Sequence, residues 1–144
     1  MSTSLLESGP PVASRAARPS QGTLWAGRIM TGIAVLFLAF DTAIKLFAAA
    51  PAVQGTTQLG FAPHHITIIG VIELACLVVY LVPRTAPLGA VLWTGYLGGA
   101  IATHLRLGSP LFSHTLFPIY IAALLWAGLY LRDARVRALL HATR

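Results

Sequence analysis

Residues 64–83 form an apolar run that carries one carboxylate, Glu73, near its middle, with Cys76 and Tyr80 on the same helical face. A helix of about that length crosses a bilayer, and an acidic side chain at the bilayer centre costs about 2.5 to 3.5 kcal/mol on insertion scales. Such a group faces a bundle interior or a wet cavity, so other parts of the chain must meet it. The candidates are Asp41 and Lys45 in the preceding apolar run, and His104 and Arg106 at the end of the following one.

The rest of the composition agrees with a membrane setting. Apolar residues make up 56% of the 144, charged residues only 10%, and the mean hydropathy is +0.75. A soluble domain is nearer one-quarter charged. The chain has room for one small bundle and none for an added soluble catalytic domain, so any active site lies among the spans. A net charge of +6 would suggest nucleic acid if the basic residues formed a patch among aromatics. They cap the apolar runs instead, which points to lipid headgroups. The single cysteine, Cys76, excludes an intrachain disulfide and a CxxC redox pair, and reads as packing.

Residues 1–22 are rich in Ser, Ala and Pro and read as a disordered cytoplasmic tail. A four-helix transmembrane domain is expected over residues 23–140, with spans at about 25–49, 64–82, 88–107 and 113–131. Trp25 and Arg28 anchor the first span at the interface. A cleaved signal peptide is the competing reading there, opposed by the length of the run, by Asp41 and Lys45 inside it, and by Pro51 just beyond. Residues 51–63, rich in Gly, Gln and Pro, are expected to be a loop. Pro83 and Pro87 make a tight turn between the second and third spans. Gly95, Gly98 and Gly99, followed by Ala100, Ala102 and Thr103, form a small-residue stripe that would let another helix approach. Pro118 should kink or shorten the start of the fourth span, and Arg132, Arg135 and Arg137 close it with a basic juxtamembrane tail.

Arg15, Arg18, Arg28, Arg84, Arg132, Arg135, Arg137 and Arg144 fall on one side of these spans, and Arg106 alone on the other. The positive-inside rule then places both termini in the cytoplasm of a plasma-membrane protein. At a rise of about 1.5 Å per residue, Asp41 lies roughly 12 Å and Glu73 roughly 14 Å from the outer ends of their helices. Lys45 and His104 lie about 6 Å deep by the same rise. Asp41 and Lys45 share a helix face at i, i+4. Asp41, Lys45, Glu73 and His104 are therefore expected to point inward and connect directly or through water.

As pure architecture this network would be a poor bargain, since interhelical hydrogen bonds in membranes average well under 1 kcal/mol against the insertion cost. A ligand or proton-handling role is favoured over a purely structural one. Glu73 and His104 are the catalytic candidates, and Asp41, Lys45, Tyr80 and Arg106 the ligand-binding ones. His64, His65 and His114 sit at helix ends as interfacial residues. No HxxxH or HExxH spacing places two imidazoles on one helix face, so no metal site is expected.

Several segments resemble the DoxX-like family of small integral membrane proteins: Arg28-Ile29-Met30-Thr31-Gly32, Phe40-Asp41, Lys45-Leu46, Gly70-Val71-Ile72-Glu73-Leu74, Pro83-Arg84-Thr85, and Gly98-Gly99-Ala100-Ile101-Ala102-Thr103-His104-Leu105. The resemblance covers roughly residues 25–139 and implies a four-helix membrane bundle with cytoplasmic termini. The founding DoxX protein is associated with quinone-linked oxidation of sulfur compounds as a subunit of a larger complex. With no haem-ligand spacing and no cysteine pair, this chain has no prosthetic group of its own in view.

Two functions are therefore expected. One is a membrane pocket for a lipophilic small molecule, quinone-like or isoprenoid-like, with a quinone as the implied cofactor and acid, imidazole and phenol groups on the proton side of the chemistry. The other is a non-enzymatic subunit or assembly factor that docks a partner membrane protein, or a further copy of itself, through the small-residue stripe.

Overall fold

The computed structural model describes residues 20–141, all-helical apart from short connections and with no strand among the described residues. Most of the segment expected to be a disordered tail, residues 1–19, lies outside the described residues. Helix α1 (Gln21–Leu46) begins inside the remainder of that segment, because the Ser20 hydroxyl caps it by accepting a hydrogen bond from the Thr23 amide at 3.2 Å. After α1 come α2 (Ala50–Gln58), α3 (His65–Leu81), α4 (Ala86–Arg106), a π turn at Leu111–Thr115, α5 (Phe117–Arg132) and α6 (Ala134–His141).

The four longest helices contact in a closed ring, α1 against α3 and α5, and α4 against α3 and α5. Their shared core runs through Ala34 and Leu38 of α1, Leu77 and Tyr80 of α3, Ala90 and Trp93 of α4, and Leu125 and Leu129 of α5. The outside is apolar. Leu36 and Phe40 on α1, Ile68, Val71, Ile72 and Val78 on α3, Leu88 and Val91 on α4, and Ile119 on α5 are all exposed, whereas Glu73 is 0% exposed. Such a polarity inversion is foreign to a water-soluble bundle. Two stretches, Gln21–Leu46 and Leu111–Arg132, are long and apolar enough to cross a bilayer. Helix α3 is apolar but has only 17 residues, and the glycines, threonines and Pro87 of α4 lower its hydropathy.

Two connections depart from expectation. The segment read as a loop, residues 51–63, begins with a helix, because Pro51 sits in the first turn of α2, where its missing N–H costs nothing. The helix ends before Gly60, which adopts φ 84°. The tail after α5 forms α6, whose start is capped by Asp133: its Oδ1 accepts from the Arg135 amide at 2.9 Å. The Arg135 guanidinium also donates to the Pro83 carbonyl at 2.5 Å, which fastens α6 to the α3–α4 turn. Pro118 lies in the first turn of α5 and delays its start, as the sequence suggests.

The glycines of the small-residue stripe on α4 pack against no other helix among the described residues. A Cβ added at Gly95, Gly98 or Gly99 would meet nothing within 4 Å, because α4 turns Ala86, Gly89, Ala90, Trp93 and Leu97 inward and leaves those three glycines on the outside. The close approaches lie elsewhere. At Gly89 a Cβ would fall 2.4 Å from the Tyr80 Cα, and at Gly128 it would fall 2.5 Å from the Thr31 hydroxyl.

Two outcomes test this packing. Gly89→Ala should lower stability by about 1–3 kcal/mol through overpacking against the Tyr80 backbone, while Gly95→Ala should not; thermal unfolding in detergent separates them. The ion-paired hydrogen bond from Arg135 holds the Asp133 carboxyl below its ordinary range. The Asp133 contribution is therefore complete above the ordinary carboxylate range and is lost as pH falls through the depressed folded value. Asp133→Ala should cost about 0.5–2 kcal/mol at neutral pH, and amide exchange in α6 should lose its acid dependence in that variant.

Candidate functional site

The site is built on three helices. The inward face of α3 repeats at helical spacing through Ile66, Gly70, Glu73, Leu77 and Tyr80, so the carboxylate enters the bundle with the core residues. The opposing face of α1 carries Asp41 and Lys45 one turn apart. Gly70 allows the approach, since a Cβ there would lie 3.2 Å from the Lys45 Cβ. Helix α4 contributes Tyr96 next to the buried Trp93 and Leu97.

These residues form one hydrogen-bonded cluster. The Lys45 ammonium donates to Asp41 Oδ2 at 2.6 Å, to Glu73 Oε1, and to the Tyr96 hydroxyl at 3.3 Å. Tyr96 donates its own proton to Glu73 Oε1. The meeting of Asp41, Lys45 and Glu73 is the geometry that their depth and spacing lead one to expect. Tyr96 is the member missed. Its signal was available: it lies eight residues inward of His104 on the same helix, so roughly 18 Å deep at helical rise and within about one turn of Glu73.

The cluster adjoins a cavity of about 780 Å³, within the range of small-molecule sites. Asp41, Lys45, Tyr96, His104 and His114, with Thr56, Gln58 and Ser109, supply its polar wall, and Phe37, Leu38, Phe117 and Ile121 part of its apolar wall. Glu73 lines neither this cavity nor the smaller one described below; Lys45 and Tyr96 hold its Oε1 from the cavity side. Its Oε2 has no hydrogen-bond partner among the described residues. Asp41 is half-buried, and its Oδ1 carries no protein hydrogen bond among the described residues, so this oxygen is available as an acceptor.

The remaining candidates are placed apart. His104 lines the cavity but bonds away from the cluster, with Nδ1 at 3.1 Å from the Ser109 hydroxyl and its ring edge-on to His114 at 5.8 Å. Tyr80 is buried in the core, donates to the Leu125 carbonyl at 3.0 Å and lies under the Arg132 guanidinium, so it pins α3 to α5 and does not reach the cavity. Arg106 donates to the Leu59 carbonyl at 3.1 Å, joining the end of α4 to the end of α2, and is not a counter-charge to Glu73. No group of three or more His, Cys, Asp or Glu side chains arranged to hold a metal occurs among the described residues.

Lys45 is the sole cation of the cluster, and its removal would leave two carboxylates in an apolar setting. Lys45→Met should destabilise the protein by about 3–5 kcal/mol, the usual result of breaking a buried pair. Adding Glu73→Gln should recover part of the loss, as read from thermal unfolding of the single and double variants.

No curated protein and no solved structure is significantly similar to the chain. The family model of the DoxX-like family matches residues 29–128, more than half of the chain and all of the Asp41–Lys45–Glu73–Tyr96 cluster. The chain therefore belongs to the DoxX-like family, and this membership together with its two long apolar helices makes it a membrane protein.

Proposed function

We propose that the protein crosses the plasma membrane four times, with α1, α3, α4 and α5 as spans and both termini cytoplasmic, and that it binds a lipophilic, quinone-like small molecule in the cavity beside the Asp41–Lys45–Glu73–Tyr96 cluster. The topology rests on the exposed apolar faces of α3 and α4, which match those of the two longer helices and enclose a carboxylate. Arg28, Arg84, Arg132, Arg135 and Arg137 gather at the end of the bundle that carries α6, and Arg106 lies at the other, the asymmetry that sets orientation.

The observation that carries the ligand reading is the cavity itself. A purely structural network would be sealed by packing, whereas Asp41, Lys45 and Tyr96 lie in the wall of an open space with apolar surroundings. The free Asp41 Oδ1 and the remaining lone pair of Tyr96 are acceptors, which fits a ring bearing hydroxyl groups, the reduced form of a quinone-like head. When bound, such a head would supply two-electron, two-proton chemistry, its two electrons passing to a separate redox partner. Asp41 accepts a proton at the cavity face, and Lys45 and Tyr96 link that face to Glu73. Glu73 thereby acts as a positioning and charge-balancing group, and His104 offers a second proton acceptor from across the cavity.

The second reading, docking of a partner helix, is favoured by one observation: Gly95, Gly98 and Gly99 are exposed with open space beside them. Recovery of a stoichiometric membrane partner that Gly99→Leu abolishes and Asp41→Asn leaves intact would decide for it.

For the ligand reading, the protein purified in mild detergent should carry a co-extracted lipophilic molecule detectable by mass spectrometry. Its amount should fall roughly tenfold in Asp41→Asn and in Tyr96→Phe, the scale of one lost buried hydrogen bond. Equal recovery from wild type and both variants, or no bound molecule at all, would sink this reading.

A further inference from the structure

A second cavity, of about 310 Å³, adjoins the first: Lys45, Thr56, Leu59, Tyr96 and Ala100 line both. On its far side its walls are Phe61, Ile69, Gly95, Gly99 and Thr103. The Thr103 hydroxyl is spent on the Gly99 carbonyl at 2.9 Å. Beyond the shared residues, then, this cavity is apolar. It also reaches the surface, since Gly95 and Gly99 are exposed and a Cβ at either would meet no atom within 4 Å.

We infer that the smaller cavity holds the hydrocarbon chain of the molecule whose head occupies the larger one, so that the ligand is a single-chain amphiphile with a compact hydroxylated head. This deepens the ligand reading above and rests on it. The argument is one of continuity and polarity. Hydrogen-bonding groups line the larger cavity and reach the junction at Lys45, Thr56 and Tyr96, and polarity falls away from there along Ile69, Gly95 and Gly99 toward the outside of the helix ring. A chain laid along that path buries methylenes against Phe61 and Ile69 and leaves the protein sideways past the α4 glycines. Those glycines are then small because a chain passes over them, which accounts for their lack of any packing partner within the chain.

Gly95→Leu and Gly99→Leu place bulk in this path at positions where a Cβ meets no protein atom within 4 Å. Binding is read by co-sedimentation with proteoliposomes, subtracting retention by protein-free liposomes at equal lipid, so that partition into the bilayer cancels. The probes are methylhydroquinone and decylhydroquinone, kept reduced with ascorbate. Referred to the free aqueous concentration of each probe, wild type should bind the decyl form about tenfold or more tightly than the methyl form, the gain expected from taking a few methylenes out of water. Each leucine variant should lose most of that gain and bind the methyl form unchanged. If the variants, with an unaltered size-exclusion profile, keep the full chain-length advantage, or if wild type has none, the chain assignment is overturned while the head site stands. If neither probe binds wild type, the ligand reading fails and takes the inference with it. Loss in the variants of a stoichiometric membrane partner that wild type retains would give the groove to a helix and equally overturn the chain assignment.

Discussion

The ion pair from Lys45 to Asp41 and Glu73 is the constraint on which the rest of the fold depends. Two carboxylates in an apolar setting require a cation held against them, and desolvation makes the arrangement intolerant of a loose fit. Lys45 must therefore stand where α1 and α3 come within a side chain's reach, which is where Gly70 removes the obstruction. Tyr96 then ties α4 to the same point. Helix α5 carries no part of the cluster, and it is held by α1 through the Gly27 and Gly128 approach and by the Tyr80 hydroxyl.

The two ends of the bundle differ in kind. At the α6 end, Tyr80, Arg132, Arg135 and Arg137 bind helices to one another, with the Arg137 guanidinium donating to the Tyr130 and Leu131 carbonyls at 2.9 and 2.8 Å. At the other end α2 and the π turn cap a region of cavities and histidines. Packing is tight where Gly89 meets Tyr80 and open where Gly95 and Gly99 meet nothing. This grades one helix, α4, from a structural half to a half that has space beside it.

What could be read in the sequence follows from how local its cause is. The apolar runs, the Pro83–Pro87 turn and the i, i+4 pairing of Asp41 with Lys45 depend on neighbours in the chain, and all are visible in the residues alone. The rotation of α4 depends on which face Trp93 and Gly89 bury, a property of the assembled ring. The depth of Tyr96 is legible in the residues, but not that it turns inward while Gly95, Gly98 and Gly99 meet no other helix of the chain among the described residues. Arg106 and Tyr80 were drawn toward Glu73 by charge and face, yet each had a nearer backbone carbonyl to satisfy it. Helix α2 was hidden by Pro51, whose effect reverses between the interior and the first turn of a helix.

A lysine ammonium has three N–H groups. In this structure Asp41, Glu73 and Tyr96 take one each, so Lys45 is saturated before anything enters the cavity. A ligand cannot gain a hydrogen bond from Lys45 without releasing one of these three acceptors. Binding at that atom is thus an exchange, with the ligand competing against a phenol and two carboxylates for a fixed number of protons. Whichever acceptor is released is changed by the event: a freed Asp41 faces the cavity, and a freed Tyr96 loosens α4 from α1. Occupancy would be felt as a rearranged bond among helices as well as a filled space.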